Sequence, residues 1–426
     1  MLAIRERGRD VVRLVVYAVV AVLAVATASY MGYMQWASTQ GQTLAETTVK
    51  AAPRASSVES KMAVFGDVYW GRYINDWSMK SSLSYAYPFS RLSEFHRDQY
   101  DAWINDMECP ITNNPKVSSA AEDTTLQFDC NPAYLSEAKK WFTAMTLANN
   151  HTDNQGADGF AETQQHLASA DIQYFGHYDP EQYDDLCDVI AMPARAQMND
   201  GTTKQVKLPM VWCGYHGVFR TPSADSLAVI KRYADYFPVI AMPHSGAEYK
   251  PEPDEIKTTW HRGLIDNGAD VVIGDHPHWV QSSEAYKGHL IIYSLGNFIF
   301  DQQYNAEVTR SAVLNMTVAV DAKDNPDLAA WIKLGEACGV YHDRCPAFAA
   351  ERKLTTVARS SSQLLRSNSN RSKLDCIGSR PCKVFARHIL VSDISAKYEI
   401  IVVDDTYTYR KNDHCAPGRV FGLSLW

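Results

Sequence analysis

Gly268-Ala-Asp-Val271-Val-Ile273-Gly274-Asp-His276-Pro277-His278-Trp-Val-Gln281, resumed at Tyr293-Ser-Leu-Gly296-Asn297-Phe-Ile-Phe-Asp301, is the stretch from which the rest of the chain can be read. Val271 to Ile273 is a short apolar run of the kind that makes a buried strand. Gly274 stops it and permits a tight turn. Pro277 then removes freedom between two histidines, so both imidazoles are held at the mouth of a strand, where α/β folds collect their chemistry. A second apolar strand, Leu290 to Leu295, ends in Gly296-Asn297. Histidine is the commonest metal ligand, so the question is whether other ligands stand at comparable strand ends.

They do. Lys61 to Asp67 reads as a strand ending in Gly-Asp, and Tyr100 to Thr112 as a strand ending in Asp106, Glu108 and a proline stop. Phe142 to Ala148 leads into Asn149-Asn150-His151, and Pro238 to Pro243 into His244. Each residue has a plainer reading: Asp67 as a turn residue, the Asn-Asn-His-Thr segment as a capping loop, His244 as a half-buried histidine. Their recurrence at successive strand ends is what argues for one site. Carboxylates, an amide and imidazoles suit borderline divalent cations, and a pair of such cations is a known means of hydrolysing phosphate esters. His216, His177 and His261 carry no matching motif and read as structural or surface residues. Trp212 and Trp279 read as packing residues.

The strands alternate with helical stretches, 159–170, 224–236 and 254–267 among them, which argues for an α/β architecture. Residues 177–205 read as an irregular acidic excursion, and 360–372 as a Ser-, Asn- and Arg-rich one. Two strand-like runs, 386–394 and 397–404, close the chain.

The 426 residues, 46% hydrophobic and 21% charged, suffice for one large domain with additions or for two domains. The net charge of -8 and the lack of a long basic run argue against nucleic acid as a partner. Leu14 to Met34 carries no charge and is long enough to cross a bilayer as a helix. Arg5, Arg7, Arg9 and Arg13 precede it, and no Lys or Arg follows closely. That asymmetry predicts a membrane protein with its amino terminus in the cytoplasm and the bulk of the chain outside. Tyr30, Tyr33 and Trp36 fall at the outer interface. A cleaved signal peptide ending near Ala26-Thr-Ala28 is the alternative. The expected layout is a basic tail at 1–13, an anchor at 14–34, a linker at 35–59, the main domain at 60–320 and a carboxy-terminal extension at 321–426. Of nine cysteines, Cys338–Cys345 and Cys376–Cys382 are the short-loop disulfide candidates of an exported domain, and an odd count leaves a free thiol.

Taken in order, Gly66-Asp67 with Gly71-Arg72, Asp106-Met-Glu108-Cys-Pro, Leu147-Ala-Asn-Asn150-His151-Thr-Asp153, His244-Ser-Gly-Ala-Glu248-Tyr249, Gly274-Asp-His276-Pro-His278 and Tyr293-Ser-Leu-Gly-Asn297-Phe resemble the CapA/PgsA family of bacterial capsule proteins. That family is associated with poly-γ-glutamate synthesis and belongs with the calcineurin-like metallophosphatases. The resemblance covers roughly residues 60 to 320. It implies a four-layer α/β/β/α sandwich with two divalent metal ions (Mn, Fe or Zn) at strand ends. By motif, Asp67 and His278 hold the first ion, Asn150, His244 and His276 the second, and Glu108 bridges them. His151 is the candidate general acid; Asp106, Glu248 and Asn297 orient the ligands. Three positions depart from the pattern: Tyr69 stands where a histidine is common, Asp106 adds an acid, and Ser245 replaces a tryptophan. The resemblance also implies capsule or poly-γ-glutamate synthase subunits, or the anionic polymer itself, as partners. Three functions follow as expectations: a metal-dependent hydrolase, a non-catalytic export or assembly subunit, and a nucleotidase-like phosphoesterase.

Overall fold

The computed structural model describes residues 15–35, 52–115, 118–323, 325–338 and 345, and the backbone of 383–384, 389–391 and 394–403. One unit contains the helix Val15–Gln35, whose 21 residues are long and apolar enough to cross a membrane. It matches the expected span; the flanking arginines and Trp36 lie outside the described residues.

The other unit is built on strands β1 (Ala55–Val68), β2 (Ala102–Met107), β3 (Ala144–Thr146), β4 (Gln173–Phe175), β5 (Cys187–Met198), β6 (Thr203–Gly217), β7 (Val239–Ser245), β8 (Val271–Ile273), β9 (Ser283–Tyr286), β10 (His289–Ile292), β11 (Asn297–Ile299), β12 (Ser311–Asp321), β13 (Lys383–Val384), β14 (Ile389–Val391) and β15 (Ile394–Val403). β1 belongs to two layers. Its first residues, Ala55 to Glu59, pair antiparallel with β5 and lead through β6, β7, β8 and β10 to β9. Its later residues, Met62 to Val68, pair parallel with β2, which continues to β3 and β4.

Side-chain alternation along β1 explains the layering. Val58, Met62 and Val64 face a central apolar layer that also takes Ile104, Met192, Met210, Trp212, Met242 and Ile273. Ala63 and Phe65 point the other way, into a layer capped by Leu135, Phe160 and Leu167. On the far side Val189, Val211, Val239 and Val272 pack against Val229, Leu264 and Trp331. Three apolar layers separate four layers of backbone, the α/β/β/α sandwich expected from the motifs.

The structure departs from the expected layout in several places. β1 starts at Ala55, so the end of the 35–59 segment is strand and not linker. Residues 187–198, read as excursion because their pattern mixes charge with apolar runs, form β5; they lie between β1 and β6 and are mostly buried. β15 pairs with β12 along ten residues, so part of the 321–426 segment completes the main sheet. The segment 224–236 is two short helices, Ala224–Ala228 and Lys231–Ala234.

Three disulfides brace the described residues. Cys338–Cys345 is the short loop anticipated. Cys187–Cys213 joins directly opposed residues of β5 and β6, a pairing invisible without register. Cys109–Cys130 fastens the loop that follows Glu108. Cys376 and Cys382 lie outside the described residues.

Candidate metal centre

The parallel arrangement brings strand ends together on one edge. Asp67, near the end of β1, stands beside Asp106 of β2 and Asn297 of β11, all in register. Asn150 follows β3, His244 lies near the end of β7, and His276 and His278 follow β8. Gly66 permits this closeness: a Cβ there would meet the Gly296 carbonyl oxygen and lie 2.9 Å from Asp275 Oδ1. His276 (φ 94°), His278 (φ 58°) and Tyr249 (φ 57°) adopt left-handed backbone conformations costly for residues with a Cβ. The Tyr249 N–H donates to the Pro277 carbonyl at 2.9 Å, tying two strained segments together.

Two donor groups emerge, Asp67 with Glu108 and His278, and Asp67 with Asp106 and His244, all buried. Asp67 is common to both. The motif reading assigned the bridge to Glu108; the geometry gives the shared position to Asp67. His278 Nδ1 donates to Asn297 Oδ1 at 2.8 Å, an orientation fixed because Asn297 Nδ2 donates to the Val308 carbonyl. His278 Nε2 lies 3.7 Å from Glu108 Oε1. His244 Nδ1 donates to Asp106 Oδ2 at 2.7 Å, and Asn149 Nδ2 donates to the other oxygen of Asp106. His244 Nε2 lies 2.7 Å from Asn150 Oδ1 and 3.1 Å from His276 Nδ1. Asp106 acts as the carboxylate that sets the His244 tautomer.

The donor set fits a cation. Both oxygens of Asp67 and Glu108 Oε2 are buried and receive no hydrogen bond. An unpartnered buried carboxylate is costly unless a positive charge meets it. Burial, then repulsion from Asp67, holds Asp106 and Glu108 well above the usual carboxylate range. Burial lowers His244 and His151 to about 3 and drives His276 well below its usual value, leaving neutral imidazoles, the form that ligates metals. His278 differs: burial opposes its charge, but Asp67, 3.2 Å away, outweighs it and raises the pKa.

His151 stacks on Phe128 with ring centroids 4.0 Å apart. Its Nδ1 faces Asn154 Oδ1 at 2.9 Å, an oxygen that also accepts the Phe128 N–H, so Nδ1 carries the proton. Its Nε2 lone pair stands 4.0 Å from Glu108. Glu248 is exposed at the rim, while Tyr249 stacks on His278 at 5.7 Å. Tyr69 is drawn away from a ligand position: its hydroxyl donates to Glu122 Oε2 at 2.8 Å and its ring packs on Phe128.

Two groups escaped the sequence reading. Asp275 is buried, with Oδ1 accepting the Leu295 N–H and Oδ2 unpartnered. Its place beside His276 was the available signal. Lys257, inside the helix Glu255–Asp266, is buried with its ammonium 3.4 Å from the Asp275 carbonyl. Burial lowers its pKa to about 7. His216, read as structural, lies opposite His244 in the β6–β7 ladder and bonds the Tyr178 carbonyl at 2.7 Å.

The family model described as "Bacterial capsule synthesis protein PGA_cap" matches residues 61–302. The chain belongs to this family. The match contains every residue of the candidate centre. The chain is 26% identical over 258 residues to "Capsule biosynthesis protein CapA" of Bacillus anthracis, covering 57% of this chain and 60% of that protein. It is 27% identical over 264 residues to "PGA biosynthesis protein CapA" of Bacillus subtilis (strain 168), covering 58% of this chain and 65% of that one. The chain therefore spans less than two thirds of the length of these curated relatives. A crystal structure of TT1561 of Thermus thermophilus aligns with a TM-score of 0.31 at 10% identity, covering 62% of this chain and 95% of that one. The fold described above rests on the layers themselves and not on that likeness.

Proposed function

We propose that this capsule-biosynthesis family member is held at the cell membrane by its apolar helix, with its amino terminus cytoplasmic and its sandwich domain outside. There it uses a two-cation centre to hydrolyse a phosphoester or related bond, with poly-γ-glutamate metabolism and its synthase subunits as the setting. The observation that carries the reading is Asp67, a buried carboxylate common to two groups of donors, whose oxygens face the His278 and His244 rings at 3.2 and 3.8 Å.

Asp67, Glu108 and His278 would hold one cation, and Asp67, Asn150, His244 and His276 the other. When bound, the ions supply Lewis acidity and make water nucleophilic at neutral pH. The chain's own groups do the rest. Asp106 and Asn297 hold the His244 and His278 rings in place through their Nδ1 atoms. His151 keeps its Nδ1 proton on Asn154 and presents Nε2 toward Glu108; an anionic substrate would supply the charge that lets Nε2 take a proton and pass it to the leaving oxygen.

The test is metal content of the full-length protein together with hydrolysis of bis-p-nitrophenyl phosphate. About two divalent ions per chain, with both metal and turnover lost in His276→Ala, is the expected result. A metal-free wild type that is also inactive would overturn the proposal. Tyr69, turned toward Glu122, favours the second reading, a non-catalytic export or assembly subunit. That reading predicts bound metal without turnover, and normal capsule in a His276→Ala, His278→Ala strain.

A further inference from the structure

Beside His278 a file of hydrogen bonds leads out of the candidate centre. Asn297, whose Oδ1 accepts the His278 Nδ1 proton, donates from Nδ2 to Gln302 Oε1 at 3.1 Å. Gln302 Nε2 in turn donates to the Tyr249 hydroxyl oxygen at 3.0 Å. The Tyr249 hydroxyl passes its own proton toward the Tyr304 hydroxyl oxygen. Each phenol has one proton, so the proton of Tyr304 is the one left over, with no acceptor among the described residues. The rings follow the same path. Tyr249 stacks on His278, and Tyr304 meets Tyr249 edge to face with centroids 5.8 Å apart. Exposure rises along it, from buried His278 through half-buried Tyr249 to Tyr304, which is 62% exposed.

A lone exposed aromatic needs no explanation, but this one ends a bonded chain that starts at a candidate metal ligand. Tyr304 also stands outside every motif quoted above. We propose that Tyr304 is a specificity-determining residue, which takes the uncharged, ring-bearing group of the substrate, a sugar or an aryl, next to the bond that is cut. This rests on the two-cation reading of the centre. The ring of that group lies on the open face of Tyr304, and the spare phenol proton goes to one of its oxygens. Exposed Glu248 acts electrostatically on both phenols, so a second negative charge is disfavoured at this place. The bonded chain holds the Tyr304 hydroxyl in fixed relation to His278, which lets the subsite aim the scissile group at the first cation.

The test is calorimetry on the full chain in detergent with Mn²⁺ present, using phosphonates that cannot be hydrolysed. Methylphosphonate reads the cations alone, phenylphosphonate adds the ring, and 4-nitrophenylphosphonate adds acceptor oxygens. Wild type binds phenylphosphonate about tenfold more tightly than methylphosphonate, and the nitro compound about fivefold more tightly again. Tyr304→Ala binds all three as weakly as wild type binds methylphosphonate. Tyr304→Phe keeps the preference for the ring and loses the extra gain from the nitro group. Unchanged methylphosphonate binding in both variants, with unchanged melting temperatures, separates this role from a merely structural one. Phenylphosphonate bound no better than methylphosphonate by wild type, or a ring preference retained in Tyr304→Ala, overturns the proposal alone. Failure of wild type to bind any of the three overturns the two-cation reading and this proposal with it.

Discussion

Replacing Asp67 by asparagine should strengthen the metal-free fold and abolish its response to metal. The magnitude follows from the surroundings. Asp67 is fully buried and neither oxygen receives a hydrogen bond. It is a named source of repulsion at Asp106, Glu108 and Asp275. A buried charge with no partner costs about 3–5 kcal/mol, and the His278 ring 3.2 Å away offsets part of that for Asp67. The amide that replaces it, equally unpartnered, costs about 1–3 kcal/mol. His278 loses the anion that favours its proton and reverts to the neutral ring, which offsets part of the gain. The net stabilisation is about 1–2 kcal/mol, or ~2–8 °C in Tm for a domain of this size. Metal acts oppositely on the two proteins: wild type gains about 2.7 kcal/mol when divalent cation stands at a hundredfold its Kd, and Asp67→Asn gains little. Differential scanning fluorimetry with chelator, then with Mn²⁺, reads both effects. A chelated Asp67→Asn that melts below wild type, yet still gains the full metal shift, would refute the reasoning.

Asp106→Asn and Asn297→Ala each free one histidine ring, and each should weaken metal binding about 10–100-fold by calorimetry; Asn297→Ala also leaves the His278 N–H and the Val308 carbonyl without their partner and should cost the chelated protein about 1–3 kcal/mol. Gly66→Ala drives a Cβ into the Gly296 carbonyl and should destabilise by about 1–3 kcal/mol or more in urea unfolding. Tyr69→His should not tighten metal binding, since the site it occupies faces Glu122; it leaves that carboxylate short of a donor and costs about 1–3 kcal/mol. Burial has moved the pKa of His151 and His244 down from 6.5 to about 3, so the metal-free rings stay neutral as pH falls from 8 to 5. Histidine NMR showing either ring titrating near 6.5 would contradict this.

The candidate ligands and their order were legible in the chain because each stands where an apolar run stops. Asp67, Glu108, Asn150, His244, His276 and His278 could all be picked out by that rule, since parallel strands deliver their ends to one edge. Asn297 was found the same way, and its bond to His278 shows why the position matters. The apolar amino-terminal helix was equally plain, being a matter of composition and length. Pairing is another matter, because it depends on which strands lie side by side. Only β1's switch of partners from β5 to β2 puts Asp67 between two donor groups. Only the β5–β6 register joins Cys187 to Cys213. Asp275 and Lys257 sit in a turn and a helix with no local mark of function; long-range packing alone buries them beside the acids. Local sequence set the residues that could do chemistry, and the tertiary fold, by removing water and fixing neighbours, decided which charges must share a partner.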